Sequence, residues 1–301
     1  MEKPLLLFNY ITLFKNKSIT PFLFLFPALL LLIIFRIFPI FLSFSESFFK
    51  KGFGFNAEKV FIGFENYIRL FNDPIIYNSL YVTVLFCIIC IPIQIFLGMS
   101  LAVLANQRVR GIFIFRSIFM LPIAVSPVVS STIWQLMLDK TSGMINGVLF
   151  FFDLPTQPFF TSEEQALGSV ILVACWRGIP FFMLFFLAGL QDIPQVYKEA
   201  ASVDGANRWQ IFWKITFPLL KRVTAFVVVT GTILNFVLLE PILLITRGGP
   251  NESTNLIMWE AYRMGFLYGD LGGASSLMSL IVIIILSLVA IEFRILRTDT
   301  Q

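Results

Sequence analysis

The chain has 301 residues, 57% of them hydrophobic and 13% charged, with 36 phenylalanines. A soluble domain carries about a quarter charged residues, so this composition excludes an ordinary soluble fold and makes lipid the solvent. The net charge of +4 is spread in short Lys/Arg clusters beside apolar runs, not on one basic face; this is topogenic charge and excludes a nucleic-acid surface.

Several chemistries are excluded as well. Histidine is absent, which removes the usual general base, metal ligand and pH sensor together. Cys87, Cys90 and Cys175 fall inside apolar runs, where thiols behave as small hydrophobes, so neither a disulfide nor a metal site is expected. There is no GxxxxGK[ST] stretch to cradle a nucleotide; if ATP drives this protein, another subunit binds it. These absences argue against a membrane-embedded enzyme.

Six apolar runs are long enough to cross about 30 Å of hydrocarbon. In chain order the reading is an N-terminal segment 1–20, spans at about 21–45, 79–105, 112–138, 166–190, 222–246 and 273–295, and a tail 296–301. The fold class is an all-α integral membrane domain. The first run is too long for a signal-peptide core. Leaving out Arg36 and Arg177 inside spans, the other 20 of the 22 Lys and Arg divide 13 to 7 between alternate connections. The richer set includes Lys3, Lys15, Lys17, Arg108 and Arg297, so both termini are expected on the cytoplasmic side.

Each span carries polar residues of interest. FIGFENYIRLFNDP at 61–74 is expected to lie amphipathically at the outer interface. Gln94 beside Pro92 is predicted to break the second span, and Ser126, Ser130 and Trp134 recur at i, i+4, i+8 on one face of the third. Arg177, with Pro180 nearby, falls near the middle of the fourth, and Asn235 and Glu240-Pro241 fall toward the outer part of the fifth. Polar groups inside a membrane are functional candidates by default, so Trp134, Arg177, Asn235 and Glu240 are the candidate pathway residues. Arg177 and Glu240 either pair, line the pathway, or reach a wet vestibule. Gly272, Ser275, Ser276 and Ser279 make a small-residue stripe on the sixth span, for which helix packing is the commoner cause, and Arg36 is expected to snorkel.

One long polar passage, KEAASVDGANRWQIFWKITFPLL at 198–220, interrupts the second half. Asp192 is expected to cap a short helix that Asp204-Gly205 terminates, glycine taking the left-handed position without strain. Trp209, Phe212, Trp213 and Thr216 then recur at i, i+3, i+4, i+7 on a second helix, and Pro218 marks its break from the fifth span. Small Ala200 and Ala201 beside Glu199 suit a docking surface; an amphipathic helix at the lipid interface fits equally well.

The passage resembles the EAA motif (EAA, three residues, G, nine residues, I-x-L-P) of inner-membrane permeases of binding-protein-dependent ATP-binding-cassette importers. Glu199-Ala200-Ala201, Gly205, Ile215 and Pro218 stand at its positions, with Phe217 in place of the usual leucine. The likeness runs from about residue 20 to 295 and is nearest the sugar-type, MalF-like permeases, through GFENYIRLFNDP, RGIFIFRSIFMLPIAVSPVV, the DGANRWQ continuation and TRGGPNESTN. The resemblance implies a type I importer permease in a bacterial inner membrane, carrying a sugar, oligosaccharide or polyol. It implies a MalG-like second permease, two ATPase subunits that bind ATP and Mg, and an extracytoplasmic solute-binding protein; this chain itself would bind no cofactor. Glu199, Ala200, Ala201, Asp204 and Gly205 would form the coupling helix and its turn, followed by Ile215 and Pro218. LLEPILLITRGGP departs from the aromatic-acid pair that sugar permeases commonly show near Glu240.

The rival reading is an ion-coupled secondary transporter working alone, which would call for paired midplane ionisable groups and inverted repeats. The sequon Asn251-Glu252-Ser253 carries no meaning in a bacterial protein, and Gly265 with Gly269 reads as a turn.

Overall fold

In lipid every backbone N–H and C=O must be bonded inside the protein, so apolar runs fold as helices. The computed structural model describes residues 20–51, 58–107 and 109–296. Most of segment 1–20, most of tail 296–301, and the cations Lys3, Lys15, Lys17, Arg108 and Arg297 lie outside the described residues. Helix α1 covers residues 20–46 and contains a π segment, Ile33–Ile37, on whose surface Arg36 is exposed. A short hairpin of β1 (Phe49–Lys51) and β2 (Lys59–Phe61) follows, antiparallel with Phe49 opposite Phe61. Then come α2 (Glu65–Phe71), α3 (Pro74–Ala105), α4 (Ile112–Ala124), α5 (Pro127–Met137), α6 (Met144–Phe151) and α7 (Glu163–Asp192). The chain finishes with α8 (Gln195–Val203), α9 (Arg208–Leu219), α10 (Lys221–Phe236), α11 (Ile257–Tyr262) and α12 (Leu271–Leu296).

Among the described residues four helices, α1, α3, α7 and α12, are long and apolar enough to cross a membrane singly, and counting each of two bent pairs as one span makes six. The α4–α5 pair departs from the single span expected at 112–138, and the span expected at 222–246 is interrupted after Phe236; the α9–α10 bend falls beside Pro218, where a break was expected. α4 and α5 meet at 97°: Val125 and Ser126 are extended, as a residue before proline prefers, and the Ser126 hydroxyl accepts from the Val129 N–H at 3.3 Å to start α5 afresh. Ser126 is therefore a cap and not part of a continuous face with Ser130 and Trp134. α9 and α10 meet at 65°, and α10 stops at Phe236 before a short turn that becomes π-helical at Ile242–Thr246.

Pro92, by contrast, does not break the second span, because α3 runs through it unbroken. Nor does Asp192 start a new helix. It ends α7, because Ile193 precedes Pro194 and is pushed to extended geometry; Pro194 occupies the cap position of α8 with no side-chain hydrogen bond.

α3 and α7 form the most extensive helix pair, with α10 packed beside α3 and α12 packed on α10. Phe182 of α7, 2% exposed, is the knob of this contact. A Cβ on Gly98 of α3 would stand 2.6 Å from the Phe182 Cβ, and one on Gly231 of α10 would stand 2.9 Å from the ring. Three helices thus converge where two glycines admit one ring. Gly98→Val is expected to push α3 off α7 and cost about 1–3 kcal/mol of overpacking, read as a lowered unfolding temperature in detergent.

α1 packs chiefly on α12, and none of its apolar window is buried. At that end of the bundle Asn66 donates to the carbonyls of Ser47 (2.8 Å) and Phe49 (3.1 Å), Ser276 also donates to Ser47 O (3.1 Å), and Arg69 pairs with Asp270. α2 turns Asn66 and Leu70 inward and leaves Phe64, Ile68 and Phe71 exposed around it.

Candidate functional site

Two places in this bundle carry unspent chemistry. The first is a cavity of about 440 Å³ bordered by α4, α5, α7 and α10 and the turn after α10. Sites of ~300–1,000 Å³ hold small molecules. Arg177 and Glu240 both line it, with Gln94, Ser130, Ser131 and Asn235.

These polar groups differ in what is left to give. Asn235 and Gln94, both nearly fully buried, form an amide pair: Asn235 Nδ2 donates to Gln94 Oε1 at 2.8 Å and to Gly231 O at 2.9 Å, and Gln94 Nε2 donates to Ala174 O at 3.1 Å. The pair ties α3, α7 and α10 together at the cavity wall, beside Cys90 and Cys175, whose sulfurs are 3.6 Å apart. Ser130 and Ser131 both spend their hydroxyls on Pro127 O. Arg177 is the contrast. It makes no hydrogen bond or ion pair with any described residue, and its buried Nε has no partner. Arg177 and Glu240 thus share a cavity without pairing. Trp134 is not in the lining; its ring lies edge-on to Trp176 at 5.7 Å, next door to Arg177.

The second place is the helix pair α8–α9, at the end of the bundle where α3 and α7 finish. α8 ends in a Schellman turn: Gly205 takes φ +82°, its N–H bonds Ser202 O at 3.2 Å, and Ala206 N–H bonds Ala201 O at 2.9 Å. Two residues later Asn207 and Gln210 exchange side-chain and backbone hydrogen bonds, both 2.9 Å, in a capping box that starts α9. The turn is therefore fixed from both sides. Trp209, Trp213 and Phe217 stack along α9 at 5.5 and 5.1 Å, and Ile215 lies in its π segment with Pro218 just beyond.

Of the motif residues, Ala201 is buried, whereas Glu199, Ala200, Asp204 and Gly205 are exposed. The structure adds Val196 and Val203, which share one face of α8 with Ala200 at i, i+4, i+7 and stand 62% and 89% exposed. Sequence reasoning passed over them, although that spacing was legible in QVYKEAASV. Every ion pair among the described residues, Lys59–Glu46, Arg69–Asp270 and Arg263 with Glu252 and Glu260, lies at the opposite end. There TRGGPNESTN forms a tied loop: Thr254 donates to Gly249 O at 2.7 Å, and Asn78 of α3 donates to Glu252 O at 3.1 Å.

Bent spans around a solute-sized polar cavity, with an exposed helix pair at one end, define a multi-span transport permease. The chain belongs to the family described as binding-protein-dependent transport system inner membrane component, whose model matches residues 94–298. It is 33% identical over 282 residues to the sn-glycerol-3-phosphate transport system permease protein UgpA of Agrobacterium fabrum, covering 93% of this chain and 95% of that one. It is 31% identical over 276 residues to the trehalose/maltose transport system permease protein MalF of Thermococcus litoralis, covering 92% and 93%. A bacterial alginate ABC transporter, solved with a pentasaccharide-bound periplasmic protein, superposes with a TM-score of 0.81 at 21% identity, over 95% of this chain and 97% of that one; the fold is the same.

Proposed function

We propose that this permease forms one half of the solute pathway of an ATP-driven importer for a sugar, oligosaccharide or related polyol, in a bacterial inner membrane with both termini cytoplasmic. A MalG-like permease supplies the other half, two ATPase subunits bind ATP and Mg, and an extracytoplasmic binding protein delivers solute. The observation that carries the coupling part is α8: a short helix braced at its C-terminal end, with an apolar face of Val196, Ala200 and Val203 that no described residue covers and Glu199 beside it. A stiff, exposed, small-residue helix transmits a partner's displacement to the spans it is joined to. The cavity between α4, α5, α7 and α10 is the solute pathway, with Arg177 and Glu240 as the groups free to bind solute hydroxyls, Asn235 bracing the wall and Trp134 behind it.

Affinity purification from native membrane in mild detergent tests the assembly. The expected result is a second six-span permease and a P-loop ATPase recovered with this chain. A chain that purifies alone and moves solute in liposomes without ATP would overturn the reading in favour of a stand-alone secondary transporter.

A further inference from the structure

A second, smaller cleft of about 270 Å³ lies behind α8, lined by Val103 and Asn106 at the end of α3, Leu190 of α7, Lys198 of α8, and Arg208, Ile211, Phe212 and Thr216 of α9. Its charge is one-sided. Lys198 and Arg208 are in the lining and no acid is, and neither cation has an ion-pair partner among the described residues. Lys198 is two residues from both Val196 and Ala200, which at 3.6 residues per turn puts it on the other side of α8 from the exposed apolar face. A protein docked on that face leaves this cleft open toward the bundle.

The depth of the cleft and its composition identify the occupant. It sits where α3 and α7 end, at the boundary between apolar span and polar connection, and beside it Trp209 and Trp213 are exposed, as tryptophans are at headgroup level. Four apolar residues, Val103, Leu190, Ile211 and Phe212, share the lining with the two cations and give it an apolar wall. Long basic side chains near a span end are placed to meet lipid phosphate. We infer that this cleft binds the headgroup phosphate of one anionic phospholipid, held by Lys198 and Arg208 with the upper acyl chain along the apolar wall, so that a lipid wedges the α8–α9 pair against the ends of α3 and α7.

The test is native mass spectrometry of the delipidated full chain in detergent, titrated with phosphatidylglycerol, with phosphatidylcholine of the same acyl chains, and with inorganic phosphate. Phosphatidylglycerol is expected to bind as one preferred adduct, and Lys198→Gln with Arg208→Gln is expected to weaken it about 25-fold, roughly fivefold for each cation removed. Lys214→Gln with Lys221→Gln removes the same charge outside the cleft and is expected to leave the adduct in place; Lys198→Arg with Arg208→Lys should keep it too and controls for folding. Equal loss in the Lys214/Lys221 variant, equal binding of phosphatidylcholine, or displacement of the lipid by inorganic phosphate would overturn the inference. So would a Lys198/Arg208 variant that keeps its lipid but loses the ATPase on co-purification, an outcome that would pair these cations with a protein carboxylate and leave the importer reading intact.

Discussion

A chain carrying Glu199→Lys with Gly205→Pro is expected to lose solute uptake by roughly 5- to 150-fold, the range that 1–3 kcal/mol of lost coupling gives, while still inserting in the membrane. The reason is local. Gly205 holds φ +82° and donates its N–H to Ser202 O; proline has no N–H and fixes φ near −65°, so the Schellman turn between α8 and α9 must open. Lysine at 199 reverses an acidic charge beside the exposed apolar face of α8. Gly205→Ala is the milder companion: its Cβ would meet nothing, so its cost is only the left-handed backbone, about 1–2 kcal/mol, and coupling should fall partway. Uptake by reconstituted complex and ATP hydrolysis measured together decide the matter. Normal uptake by the double variant would sink the assignment of α8 as the coupling helix.

Arg177→Ala is expected to weaken transport by about 10- to 150-fold, corresponding to loss of a charge-assisted hydrogen bond of about 1.5–3 kcal/mol, with assembly unchanged. The separation of the two readouts follows from the geometry. Gln94 or Asn235, if truncated, would strand a buried amide on another helix. Arg177 bonds no described residue, so its removal leaves no protein group unpaired, and the deficit should fall on solute. Arg177→Lys keeps the charge without the planar fork and is expected to recover only part of the rate. Equal uptake by wild type and Arg177→Ala would remove Arg177 from the pathway.

Much of this was readable from residue order alone, and the failures share a cause. Gly205 as a turn and Arg177 as a mid-span charge follow from single-residue physics, a left-handed backbone and the cost of charge in lipid. The 97° bend at Val125–Ser126 was missed because the apolar run continues through it, and hydropathy records length, not direction. Pro92 was read as a break because its missing N–H is visible in sequence, whereas the packing of α3 on α7, along which the helix runs unbroken, is not. Asn235 lines the cavity with its amide bonded to Gln94, 141 positions away in the chain, a pairing that no local pattern reveals. Val196 and Val203 are the reverse case: their spacing was plain, but only the exposure of both marks that face as uncovered.

The two interruptions at 125–126 and 237–239 also shape the wall of the cavity. Ile123, Pro127, Val237 and Leu238, which flank them, all border the cavity. Where a helix is interrupted, carbonyls and amides lose their place in the ladder, and at membrane depth such backbone is tolerated only inside protein or against a wet lumen. At both interruptions the wall of the cavity is therefore made by backbone that has left the helix, with Ile123 and Pro127 flanking one break and Val237 and Leu238 lying at the other.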